Sequence, residues 1–138
     1  MEEYITHTPA ETEAVGAALA RTLCGGETVA LYGGLGMGKT AFVRGMAAVM
    51  APAAEVSSPT FALVHDYGGT PQLVHFEMYR VTGWDDLYAT GFWDYANAGA
   101  VTAVEWSENI EGALPADAVR VRFERLSDTD RRIVVERE

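Results

Sequence analysis

The stretch LYGGLGMGKT, residues 31–40, decides how this chain is read. Gly33, four residues, then Gly38, Lys39 and Thr40 match the phosphate-loop pattern G-x-x-x-x-G-K-[ST]. Glycines at these places let the backbone bend until successive N–H groups face phosphate oxygens. A helix that follows directly turns the positive end of its dipole to the same spot. Lysine can bridge the β- and γ-phosphates, and the threonine hydroxyl can ligate Mg²⁺.

The flanks supply the context that the pattern requires. ETVALYG before the loop is short, apolar and rich in β-branched and aromatic residues, which predicts a buried strand. KTAFVRGMAAVMA after it predicts a helix that stops at Pro52. The candidate nucleotide-binding run is therefore Gly33, Gly34, Leu35, Gly36, Met37, Gly38, Lys39, Thr40 and Ala41. Lys39 is the only lysine among ten basic residues. A guanine-specifying N/T-K-x-D motif cannot be built without a second lysine, so ATP is favoured over GTP.

Working outward, TPAETEAVGAALARTL (residues 8–23) predicts a helix. Thr8 suits the N-cap, Pro9 the first helical position, and Glu11 a capping box. FALVHDY and QLVHFEMY predict a hairpin around GGTP. GWDDLYATGFWDYANA is helical but broken by Gly91. GAVTAVEWSENI opens on an apolar strand, and AVRVRFERL and RRIVVERE predict two more strands joined by SDTD. The expectation is one α/β domain over residues 1–138, of P-loop NTPase type, with a mixed sheet flanked by helices.

Composition narrows the function classes. A chain of 138 residues that is 49% hydrophobic can bury a core in one domain. No apolar run has the roughly 18 residues of a membrane helix. Cys24 is the only cysteine, so no internal disulfide can form, and the natural expectation is a cytoplasmic protein. The formal charge of −10 repels bare nucleic acid, so any contact with RNA is expected through partners. Without His/Cys ligand spacing, zinc is not expected.

A second set of residues carries possible chemistry. Glu105 ends the strand AVTAVEW where a carboxylate beside the loop can hold Mg²⁺; an ordinary strand-end glutamate is the alternative. Trp106 beside it fits core packing as well as a supporting role. In SSPTF, Ser57, Ser58 and Thr60 fit a switch-like segment or a turn around Pro59. On an extended strand His75 and Glu77 share one face. Glu77 can orient metal or water, or pair with an arginine, and Arg80 is a possible support for it. His65 shows no partner pattern.

Taken in order, YGGLGMGKTAFVRG, VSSPTFALVHDY, LVHFEMYR, GFWDY and VEWSE resemble the TsaE (YjeE) family of bacterial ATPases over roughly residues 8–110. The resemblance implies a part in forming N6-threonylcarbamoyladenosine in tRNA, with ATP and Mg²⁺ as cofactors and the TsaD and TsaB proteins as partners. It assigns catalytic roles to Lys39, Glu77 and Glu105, metal ligation to Thr40 and Glu105, and the switch-like role to Ser58 and Thr60. It also points to the N-terminal helix start and the SDTD turn as the adenine neighbourhood.

Three positions depart from the family pattern. The family usually has an acidic residue where Gly34 stands and often alanine where Met37 stands. Glu77 replaces an aspartate, one methylene longer, which moves the carboxylate by about 1.5 Å. Two other functions compete with the ATPase. A small P-loop metabolite kinase would need a lid or acceptor-binding insertion, for which the chain has no spare segment. A nucleotide-gated interaction module with little hydrolysis would tolerate the Glu77 change.

Overall fold

The computed structural model describes residues 1–34, 36–54, 56, 64–78 and 81–137. Its frame is one seven-stranded sheet built from β1 (Glu2–Thr6), β2 (Thr28–Tyr32), β3 (Val64–Gly68), β4 (Leu73–Glu77), β5 (Val101–Glu105), β6 (Val119–Arg125) and β7 (Arg131–Glu136). The spatial order is β1-β7-β6-β2-β5-β4-β3. β2 pairs in parallel with both β5 and β6, and β4 pairs in parallel with β5, whereas the β3–β4, β6–β7 and β1–β7 pairs are antiparallel. The expected mixed α/β sheet is what forms.

Alternating residues of these strands serve two different cores. Val29, Leu31, Val101, Ala103, Val121 and Ile133 pack with α1 (Pro9–Ala20) and α2 (Lys39–Met50). Val74, Phe76 and Val104 pack on the other face with α3 (Trp84–Ala89) and α4 (Phe92–Asn97) through Leu87 and Phe92. Period-2 alternation makes the consequence for β4 definite: His75 and Glu77 look the same way as Leu73, toward the α1/α2 face. Glu105 shares that face with Ala103 for the same reason.

Helices α1 and α2 approach closely at two glycines. A Cβ on Gly16 would strike the Phe42 carbonyl oxygen, and one on Gly45 would strike that of Glu13. This contact holds the start of α1 beside the start of α2. The Thr8 hydroxyl caps α1 by accepting from Glu11 N–H at 3.1 Å, as expected. The Glu11 carboxylate reaches back one residue beyond the capping-box position and accepts from His7 N–H at 2.7 Å.

Three elements differ from the sequence reading. The first helix ends at Ala20 rather than near residue 23. The helical stretch over residues 107–113 is a 3₁₀ segment that the polar sequence SENIEGA did not signal. Strand β1 was not expected at all: EEYIT is acidic, and it is a strand because β7 offers it an open edge, in the register Glu3↔Val134 and Ile5↔Arg132. Edge pairing of this kind leaves little local signature.

Candidate functional site

The carboxyl ends of the parallel strands β2, β5 and β4 converge on one rim of the sheet, the place where open α/β sheets bind ligands. The loop of residues 33–38 leaves β2 there, with Leu35 lying outside the described residues. Gly38 is the N-cap of α2 and adopts φ 98°, ψ 9°, a left-handed conformation that a side chain would disfavour. It therefore contributes no capping side chain, and the first N–H groups of the twelve-residue α2 face the cleft.

Lys39 is only 4% exposed, a rare state for lysine. Its ammonium donates to the Gly33 carbonyl at 2.7 Å and stands 3.7 Å from Glu105 Oε1. The Trp106 ring lies against it, with the ammonium 5.0 Å from the ring centroid. Trp106 has φ 59°, the single described non-glycine residue with positive φ. Such backbone strain concentrates at functional sites, and here it turns the ring from the end of β5 toward Lys39.

Glu105 is the electrostatic centre. Its Oε2 meets His75 Nε2 at 2.6 Å, and its Oε1 faces Lys39. Burial pushes the Glu105 carboxyl up, but the hydrogen bond from His75 and the charge of Lys39 more than offset this and hold it below the usual glutamate range. His75 has no exposed surface and meets the Tyr67 hydroxyl through Nδ1 at 3.2 Å; His65 Nδ1 lies 3.3 Å from the same hydroxyl. His65 thus does have a partner. A chain of polar groups runs from Lys39 through Glu105 and His75 to Tyr67. Parallel register sets Glu77 directly beside Glu105, and both are buried.

A cavity of about 570 Å³ opens over Gly36, Met37, Gly38, Lys39, Thr40 and Ala41, with Glu105 in its wall. Its other walls are His7, Thr8, Pro9 and Thr12 at the start of α1, and Asp128, Thr129 and Arg131 around the β6–β7 turn, with Arg44 from α2. The helix start and the SDTD turn thus close the cleft together. His7 Nδ1 and Asp130 Oδ1 join them at 2.8 Å, and that hydrogen bond raises the His7 pKa. Arg131 ties the turn to the loop by donating to the Gly36 carbonyl at 3.1 Å.

The sheet gathers Gly33, Gly38, Lys39, Thr40, Glu105 and Trp106 in one place and sets Glu77 at its border. Ser57, Ser58, Pro59, Thr60 and Arg80 lie outside the described residues. Sequence reasoning singled out no role for Tyr67, Arg44 or Arg131, and left His75 without one. For His75 a signal existed, since a histidine two residues before Glu77 shares its face; for Arg131 none existed locally.

The site fits polyphosphate. It offers a desolvated ammonium with one protein carbonyl as hydrogen-bond partner, a helix N-terminus and a cavity wide enough for a nucleotide. Among the described residues no group of three or more His, Cys, Asp or Glu could hold a metal on its own. Mg²⁺ characteristically binds through one or two protein groups plus substrate phosphates. Thr40 and Glu105 are the candidate pair. Among the described residues no helix is long and apolar enough to cross a membrane.

A mixed sheet with a parallel centre, a glycine loop feeding a helix N-terminus and a strand-end carboxylate beside it define a P-loop nucleotide-binding fold. The chain belongs to the TsaE family: the family described as Threonylcarbamoyl adenosine biosynthesis protein TsaE matches residues 6–133. Relatives called tRNA threonylcarbamoyladenosine biosynthesis protein TsaE bear this out. That of Treponema pallidum is 32% identical over 131 residues, covering 95% of this chain and 97% of the relative. That of Bacillus subtilis is 33% identical over 132 residues, covering 95% and 82%. The crystal structure of Bacillus subtilis YdiB superposes with a TM-score of 0.78 at 29% identity, covering 97% of this chain and 83% of that one.

Proposed function

We propose that residues 1–138 act as one Mg²⁺-dependent ATPase domain in the biosynthesis of threonylcarbamoyladenosine in tRNA, working in the cytoplasm with the TsaD and TsaB proteins. Family membership supports the pathway. The observation that carries the ATPase reading is the buried Lys39, held between the Gly33 carbonyl and Glu105 at the mouth of a nucleotide-sized cleft.

Each residue has a definite task in this reading. Lys39 exchanges its ion pair with Glu105 for contacts to the β- and γ-phosphates, while the N–H groups at the start of α2 receive the remaining phosphate charge. Glu105, kept anionic, and the Thr40 hydroxyl hold Mg²⁺, which supplies charge neutralisation on the phosphates when bound. Glu77 orients metal or attacking water from the neighbouring strand. His7, Thr12 and the β6–β7 turn enclose the nucleoside. Catalysis is then positioning and electrostatics in a water-poor site.

The test is ATP hydrolysis by the purified chain with Mg²⁺, alone and with TsaD and TsaB. Hydrolysis that rises with the partners supports the proposal. Tight ATP binding with no hydrolysis in either case replaces it with a nucleotide-gated interaction module. Phosphate transfer to a small metabolite would replace it with a kinase.

A further inference from the structure

Helix α3 carries an exposed aromatic face. Trp84 is 63% exposed and Tyr88 73%, four residues apart and so neighbours on the helix surface, while Leu87 is buried in the core. Trp84 stacks on Trp93 of α4, with ring centroids 5.9 Å apart and planes 16° from parallel. Tyr88 sits 6.3 Å from Trp93 on the same side. Three large rings are thus assembled in one place: Trp93 is half-buried against the core beneath α4, and the exposed rings of Trp84 and Tyr88 lie against it. Beside them a cleft of about 210 Å³ opens between the start of α3 and the 3₁₀ segment, lined by Trp84, Leu87, Ile110 and Ala113.

The sequence that carries these rings has charge of one sign. From Val81 to Val119 the sequence holds Asp85, Asp86, Asp94, Glu105, Glu108, Glu111 and Asp117, and no lysine, arginine or histidine. All of these except Glu105 are exposed. Asp86 is occupied in bonding Thr82, and Glu111 in pairing with Arg120. Asp85 and Asp94 are exposed and directly follow Trp84 and Trp93 in sequence, on α3 and α4.

Exposed aromatic faces flanked by carboxylates suit arginine. The guanidinium plane stacks on the ring while its N–H groups reach the acids. Tryptophan, tyrosine and arginine are also the side chains that concentrate binding energy at protein interfaces. A phosphate backbone is repelled by the same acids. The location adds a link to the nucleotide. β4 ends at Glu77 and leads toward α3, and β5 ends at Glu105 and leads through Trp106 into the 3₁₀ segment. The Asn109 side chain donates to the Met78 carbonyl at 2.8 Å, joining the two exits.

We infer that the aromatic face of α3 and α4, with its adjoining cleft, is the docking surface for a basic, arginine-bearing face of a partner protein. The inference rests on the reading of a protein that works in a complex, and it places the partner against the two segments that leave the nucleotide site.

The experiment titrates the full chain against a TsaD–TsaB complex of the same organism at low and high salt. It compares wild type with Trp84→Ala/Tyr88→Ala and with Asp85→Arg/Asp94→Arg. Thermal melts and MgATP affinity serve as folding controls, since all four positions are on the surface. The expected result is a tenfold or greater loss of partner affinity in both variants, unchanged MgATP affinity, and a salt dependence that disappears in the charge reversal. Wild-type affinity in both variants overturns the docking surface and leaves the complex reading standing. If the wild type itself does not bind, the complex reading fails. An arginine-rich peptide then serves as the probe: quenching of tryptophan fluorescence that is lost in Trp84→Ala/Tyr88→Ala upholds the surface, and its absence overturns it. Binding of tRNA that depends on the same side chains also overturns it.

Discussion

His75 Nε2 and Glu105 Oε2 lie 2.6 Å apart in the interior, across two neighbouring parallel strands. The contact occupies one oxygen of the carboxylate and leaves the other facing Lys39 at 3.7 Å. A glutamate that could rotate freely is thereby presented in one orientation to the mouth of the cleft.

Removing His75 leaves a buried carboxylate with one partner fewer. Leaving a buried group short of a hydrogen-bond partner costs about 1–3 kcal/mol, and more when the group is charged, so His75→Ala should lose stability on at least that scale in urea unfolding. His75→Gln, which keeps a donor, should lose less. Equal losses would mean that packing rather than the hydrogen bond is at stake.

The same pair predicts a pH dependence. The Glu105 carboxyl is depressed in the folded state relative to its ordinary value of 4.5. Its contribution to stability is thus fully present above that value and is lost as pH falls through the folded pKa. In His75→Ala the upward push of burial loses its main counterweight, so the acid-side loss should begin at a higher pH. Denaturation midpoints between pH 3 and 7 give the comparison.

Lys39→Ala should abolish detectable MgATP binding at ordinary concentrations. Hydrogen bonds to charged groups contribute about 1.5–3 kcal/mol, roughly a 10- to 100-fold loss for one bond, and Lys39 is expected to reach two phosphates. Unchanged affinity in calorimetry would remove the basis for the phosphate cradle. Glu105→Gln should behave differently, keeping nucleotide affinity within a few-fold while Mg²⁺-dependent turnover collapses.

Glu77 is buried beside Glu105, and the resemblance in sequence implies an aspartate, one methylene shorter, at its position. A misplacement near 1 Å can cost about 100-fold in rate. Glu77→Asp should therefore raise the turnover number by up to that factor with little change in ATP affinity. A drop in turnover would show that the site has adjusted to the longer side chain.

Gly45→Ala tests the helix pair. The added Cβ meets the backbone carbonyl of Glu13, which no rotamer change can relieve. Overpacking of this kind costs about 1–3 kcal/mol. Because the contact also positions the start of α1 over the cleft, nucleotide affinity should fall together with the urea midpoint.

Much of this protein was written locally. The loop from Gly33 to Thr40, the strand before it and the helix after it each follow from neighbouring residues, because glycine freedom, β-branching and helical periodicity act over a few positions. The N-cap at Thr8 and the carboxylate ending β5 are legible for the same reason. What the chain could not show by itself is which distant groups meet. EEYIT is a strand only because β7 leaves an edge open, and Arg131 reaches Gly36 only because β6 and β7 return beside β2. His75 faces Glu105 across two strands separated by 23 residues of intervening chain, through a parallel register that no local pattern encodes. The phosphate loop is a property of ten consecutive residues; the buried array of Lys39, Glu105 and His75 behind it is a property of the folded sheet, since only packing brings their charges within reach and excludes the water that would screen them.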